Sequence, residues 1–155
     1  MSQEQDQNKR TVQRLYQEVG NEGRLEVLDE IAWSDHVEHR PFPGQVQGVE
    51  GLKQRISMVR AALNPTFTIE HLMAEGDKVA VMWSNRCEHV GEWLGFSPTG
   101  KSVTVHGVDI HRLRDGRLAE HWDVADISEF LISVGAMPAP AGTPRLPALP
   151  TEVGI

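Results

Sequence analysis

The chain has 155 residues, 39% of them hydrophobic and 24% charged, the composition of a single soluble domain able to bury a core without help from disulfides or metal. A formal charge of -7 with no Lys/Arg cluster argues against nucleic acid or an anionic membrane as the main partner. Cys87 is the only cysteine, which excludes an internal disulfide and a thiolate metal cluster; a buried bystander thiol is the expected state. No apolar run approaches the ~20 residues of a membrane span, and MSQEQDQNKR lacks the apolar segment of a secretory signal, so a cytoplasmic location is expected.

Between Asn8 and Val19, the apolar residues Val12, Leu15, Tyr16 and Val19 recur at the spacing of an amphipathic helix, which Gly20 stops. After Asn21-Glu22-Gly23, a second short helix carries Leu25, Leu28, Ile31 and Ala32 and runs to Trp33. His36-Val37-Glu38-His39-Arg40, closed by Pro41 and Pro43, follows as an extended or turning segment. Two histidines three residues apart can bind zinc on a helix, but this segment is not helical and no third ligand is placed near it. It is expected to form a polar lip over a cavity or a surface loop.

A third helix spans 49–63 with Leu52, Ile56, Val59 and Leu63 buried, and Asn64-Pro65 ends it. Strand periodicity then begins. Phe67, Ile69, His71 and Met73 alternate against Thr66, Thr68, Glu70 and Leu72, and Glu75-Gly76-Asp77 turns the chain into residues 78–89. There Val79, Val81, Trp83, Asn85, Cys87 and His89 share a face that changes from apolar to polar, as in a strand leaving a core for the mouth of a cleft, or fraying into solvent. The loop 91–100 carries Trp93 and Phe96, suited to a lid, a subunit contact or a core plug.

The segment VTVHGVDIHRLRDGRLAEHWDVAD, residues 103–126, reads as two strands folded at Asp115-Gly116. A two-residue turn pairs Arg114 with Arg117, Leu113 with Leu118, His111 with Glu120 and Asp109 with Trp122. Alternation then puts Leu113, His111, Asp109, Glu120, Trp122 and Asp126 on one face, with Ile110, His121, Val108 and Asp123 on the other. A bulge near His121-Trp122 would bring Asp123 round to the face of Asp109, so both aspartates are candidates for the inward position. Ile127, Phe130, Leu131 and Val134 suit a short closing helix. Residues 138–155 hold five of the nine prolines and read as an extended tail.

Three helices, a meandering antiparallel sheet and a final helix make an α+β fold in which helices cover one face of a curved sheet and leave an apolar cavity between. No phosphate loop, dinucleotide fingerprint, GxSxG elbow or HExxH helix is present.

The Asn21-Glu22-Gly23-Arg24 turn, Gly91-Glu92-Trp93-Leu94-Gly95-Phe96-Ser97-Pro98-Thr99-Gly100-Lys101, and Gly107-Val108-Asp109-Ile110 through Asp115-Gly116-Arg117-Leu118-Ala119-Glu120-His121-Trp122-Asp123 resemble the SnoaL-like polyketide cyclases of the NTF2-like superfamily. The likeness covers about residues 8–136, giving a domain over 1–136 and a proline-rich tail over 137–155. It implies an NTF2-like cone, commonly a homodimer, with a deep apolar pocket and no metal or organic cofactor. In these cyclases a strand aspartate is the general acid and base of an intramolecular aldol closure. The match places that aspartate on Asp123 and sets Asp109 where the family has a histidine.

The resemblance therefore implies a cofactor-independent acid/base enzyme for a small apolar carbonyl substrate. Asp123 leads, Asp109 is its partner sharing a proton near neutral pH, and Asp126 and His121 stand in reserve. The expected pocket is lined by Trp83, Trp93, Trp122, Tyr16, His39, His106, His111 and Glu120. The rival readings are an epoxide hydrolase or dehydratase on the same fold and a non-catalytic ligand-binding module, whose acids would point outward or be neutralised by Arg.

Overall fold

The computed structural model describes residues 2–142 and is an α+β domain whose single sheet wraps around one side of a helical layer. Helix α1 (Gln3–Arg14) starts at a capping box, in which the Ser2 hydroxyl accepts from Gln5 N–H while the Gln5 side chain accepts from Ser2 N–H. The helix then widens into a π-helical run, Leu15–Asn21, that buries Leu15, Tyr16, Val19 and Gly20. Close approach explains Gly20, because a Cβ there would sit 3.0 Å from the Phe67 ring. Asn21 clamps the end of the run to the sheet, donating to Phe67 C=O (3.0 Å) and accepting from Phe67 N–H (2.7 Å).

Helix α2 is shorter than its periodicity suggests, Val27–Ile31, because the chain turns at Ala32 into strand β1 (Ala32–Glu38). The segment expected to be extended or turning is a strand as far as Glu38, and its pairing changes the sheet. β1 pairs in parallel with β5, so the sheet is mixed, with strand order β1-β5-β4-β3-β2. Helix α3 (Gly48–Leu63) ends on Asn64 in the left-handed conformation (φ 38°), just before Pro65.

Strands β2 (Thr66–Glu75) and β3 (Lys78–Glu88) form the first hairpin, and β4 (Ser102–Arg114) and β5 (Arg117–Asp126) the second. In β2 the register shifts between Ile69 and His71, so Leu72 and Ala74 take over the partly buried side and His71 and Met73 turn out to solvent, reversing the simple alternation. In β3 the alternation holds: Val79, Val81, Trp83, Asn85, Cys87 and His89 are all buried, so the strand does not fray. The core lies between this inner face and α1, α2 and α3, and α4 (Ser128–Ser133) closes it with the buried Phe130. Residues 137–142 are exposed, and the remaining proline-rich part of the tail, 143–155, lies outside the described residues. Among the described residues no helix is long and apolar enough to cross a membrane.

Candidate active site

The second hairpin turns at Asp115-Gly116 with positive φ at both positions (52° and 73°), the mirror-image turn whose twist suits an antiparallel pair. Its register then departs from the simple pairing. Leu113 faces Leu118 but Arg112 already faces Glu120, so Ala119 is an extra residue and a bulge lies just after the turn. From there on, every β5 side chain is moved to the other face. His111 is opposite His121, Asp109 opposite Asp123 and Ile110 opposite Trp122. Both candidate aspartates, together with His111 and His121, therefore line one cavity.

That cavity is about 170 Å³ and largely apolar, lined by Leu15, Leu52, Ile56, Val59, Phe67, Trp83 and Val105 among others. An engineered void of ~150 Å³ takes up benzene, so a ring-sized apolar group fits. Tyr16, Phe67 and Trp83 form an edge-to-face series (5.9 and 5.6 Å between centroids), and Trp83 lies so close to β4 that a Cβ at Gly107 would be 2.3 Å from its ring. At the rim Phe42 meets Trp93 edge to face at 5.4 Å.

The polar end of the cavity is a connected set of charges. Tyr16, projected inward by the π-helical run, donates its hydroxyl proton to Asp109 Oδ2 and lies 3.0 Å from His111 Nε2. Asp109 Oδ1 is 3.5 Å from His121 Nε2, and on the far side His121 Nδ1 is 2.6 Å from Glu38 Oε2. Glu38 also accepts from Arg40 N–H at 2.9 Å and lies 3.9 Å from the Arg55 guanidinium. Arg55 donates to Asp123 Oδ2 at 3.0 Å and to the Arg40 carbonyl at 2.9 Å, with its guanidinium 3.9 Å above the Phe42 ring.

Burial opposes charge throughout, and the neighbours decide the outcome. For His121 burial favours the neutral ring, but Asp109 and Glu38 outweigh it and raise its pKa to about 9. Burial would raise Asp109, yet His121, His111 and the Tyr16 hydroxyl hold it down to about 2. Burial also opposes ionisation of Glu38, and it is overcome by His121, the Arg40 N–H and Arg55, so its pKa is lowered. His111 is pushed down to about 3, by burial first and then by the positive His121. Asp123 is raised, by burial first, against the pull of Arg55 and His121 and with the help of Asp109 and Glu38. The two aspartates thus do not share a proton between equals: Asp109 is a fixed anion and Asp123 the titrating acid.

Asp109, His111 and His121 each offer a ligand atom within 4.8 Å of the others. Both nitrogens of His121 already face carboxylates, Glu38 at 2.6 Å and Asp109 at 3.5 Å.

Five expected pocket or catalytic residues are placed elsewhere, by the bulge, by β1 and, for His106, by the alternation of β4 itself. Glu120 and Trp122 lie on the opposite face of β5; Glu120 pairs with Arg112 and, at 3.1 Å, with His39 Nε2, while His39 stacks on Trp122 at 4.4 Å. His106 is exposed, and Asp126 is an exposed carboxylate that accepts from Ser128 N–H at 2.9 Å. None of these five lines the cavity, whereas Tyr16, Trp83, Trp93, Asp109, His111, His121 and Asp123 do. The sequence reading missed Glu38 and Arg55. Arg55 is detectable as a charged residue inside the Leu52, Ile56, Val59 stripe of α3; Glu38, in a segment expected to be extended or turning, carries no such signal.

A family model described as SnoaL-like polyketide cyclase matches residues 10–131. The chain is 25% identical over 118 residues to nogalonic acid methyl ester cyclase of Streptomyces nogalater, covering 74% of this chain and 88% of the relative. Similar solved structures include IdmH from Streptomyces antibioticus (31% identity, TM-score 0.72, 83% of this chain and 99% of that one). TsrD from Streptomyces laurentii is 28% identical with a TM-score of 0.73, covering 83% and 98% of the two chains.

Proposed function

Because the chain belongs to the SnoaL-like polyketide cyclase family, we propose that its cavity carries out cofactor-independent acid/base ring closure, an intramolecular aldol condensation of a small apolar carbonyl compound. The observation that carries this reading is the pair of directly opposed carboxylates in one apolar cavity, one held ionised by its donors and one raised by burial. In the aldol step, Asp123 takes the proton alpha to a carbonyl, the enolate carbon attacks a second carbonyl carbon, and the new alkoxide takes a proton from the His121 imidazolium. Asp123 is suited to the base role because Arg55 engages only its Oδ2. The charges of Asp109, with both oxygens facing donors, hold Tyr16 and His121 in place. Proton exchange with water on product release restores Asp123 and His121.

The Arg55–Asp123 pair is also the observation that favours the rival reading of a ligand-binding module, because it neutralises the acid. Asp123→Asn separates the two. Ring closure should fall at least ~100-fold with ligand affinity retained; turnover equal to the parent protein would remove Asp123 from the chemistry.

The same reading takes the protein as a homodimer. Its support is the outer face of the sheet, where Met82, Val108 and Val124 run side by side across β3, β4 and β5, and Met73 and Ile110 extend the exposed apolar surface.

A further inference from the structure

Glu38 is 3% exposed on β1, with His121 on one side and Arg55 on the other. Its two oxygens divide the work: Oε2 faces the His121 ring at 2.6 Å, and Oε1 accepts from Arg40 N–H at 2.9 Å. The charges alternate along a continuous path, Asp109, His121, Glu38, Arg55, Asp123, with separations of 3.5, 2.6, 3.9 and 3.0 Å. Glu38 is the central member, and the residues proposed as acid and base lie on either side of it.

Resting on the aldol reading above, we infer that Glu38 is a positioning residue that keeps His121 protonated as the acid and ties it through Arg55 to the base, so that one buried carboxylate sets both limbs of the pH profile. Two arguments support this. Among the described residues His121 has no other anion at its Nδ1, and Asp109 alone, at 3.5 Å, is a longer contact. A burial that disfavours charge on both Glu38 and His121 is sustained only because the pair is formed; removing one partner strands the other.

The charged and titratable groups around His121 are Asp109 and His111 on β4, Asp123 on β5, Tyr16 on the π-helical run, Glu38 and His36 on β1, and Arg55 on α3. Removing the Glu38 charge acts on the whole set in one direction. An anion nearby raises the pKa of every acid, so its loss lowers both the imidazolium and the Asp123 carboxyl.

The test is Glu38→Gln, which keeps one acceptor oxygen and the side chain's shape, replaces the other oxygen by an amide N–H donor and removes the charge. His121 ring protonation is followed by ¹⁵N NMR, and the pH–rate profile of ring closure is measured alongside. The His121 midpoint should fall from about 9 by about one to three pH units. The alkaline and acidic limbs of the rate profile should both move to lower pH, and Glu38→Asp should recover part of the shift. An unmoved His121 midpoint in a folded Glu38→Gln protein overturns the inference. A midpoint that falls while the rate profile stays in place overturns its catalytic half and, separately, the role of His121 as acid. The NMR arm needs no substrate, so it stands or falls independently of the reaction assigned.

Discussion

Replacing Tyr16 by Phe removes one atom from the middle of the site and gives the most direct measure of how the buried charges are held. Asp109 is 7% exposed and ionised; its partners are the Tyr16 hydroxyl on Oδ2 and His121 on Oδ1. Phe keeps the ring and its edge-to-face contact with Phe67, so the hydrophobic contribution is nearly unchanged. What is lost is a hydrogen bond to a charged acceptor, worth about 1.5–3 kcal/mol, together with the 3.0 Å contact to His111 Nε2. With a urea slope of about 2 kcal/mol per molar for a domain of this size, the midpoint should fall by about 1 M at pH 7 and fixed protein concentration. The destabilisation should shrink as pH is lowered toward the range where Asp109 protonates, since the neutral acid no longer needs the donor. Combining Tyr16→Phe with Asp109→Asn should return a coupling energy of at least ~1 kcal/mol. A midpoint within ~0.2 M of the parent, or additive effects, would refute the claim that Asp109 is an anion held by Tyr16.

Three further outcomes follow from the same geometry. Stability should peak near pH 6.5: His36 and His111 have pKa values lowered to about 4 and about 3, so they favour the fold above their unfolded value and weaken it as pH falls below 6.5, whereas His121, raised to about 9, stabilises below 6.5 and loses that contribution as pH rises through 9; urea midpoints from pH 4 to 9 that rise steadily in one direction would contradict this. Gly107→Ala places a Cβ 2.3 Å from the Trp83 ring, so it should cost about 1–3 kcal/mol and shift tryptophan fluorescence, and an unchanged melting temperature would show that Trp83 is not wedged there. Val124→Lys, at a site 69% exposed, should convert a dimer into monomers by sedimentation without loss of secondary structure, and a parent protein already monomeric at high concentration would exclude the sheet-face interface.

Much of the architecture was legible because it rests on local rules: the helical stripe through Val12 and Val19, the Asn64-Pro65 stop, the buried alternation of β3 and the Asp115-Gly116 turn all appear where the spacing puts them. What escaped was set by non-local pairing. β1 is a seven-residue strand rich in polar side chains, and it exists because β5 offers a parallel edge, which no local pattern announces. The π-helical run is equally invisible, since Tyr16 fits an ordinary helix stripe; only the widened turn explains how it reaches Asp109 while α1 continues without a break.

The bulge decided the site. Simple alternation from the turn put Asp109 and Asp123 on opposite faces, and a corrective bulge was expected near His121-Trp122, which would have turned Asp123 inward and left His121 outside. Two residues of β5, Leu118 and Ala119, are instead buried in succession, so the correction comes at Ala119, before His121. The difference is chemical. With the bulge at His121, Glu120 would stay on the face of Asp109, opposite His111, and His121 would lie outside. The carboxylates of Asp109, Glu120 and Asp123 would then share the cavity without an imidazolium, and like charges would force shared protons. With the bulge at Ala119, an imidazolium enters together with Asp123, fixes Asp109 as an anion, and leaves Asp123 alone to titrate. The separation of acid from base in this cavity is therefore a consequence of where one extra residue enters a strand.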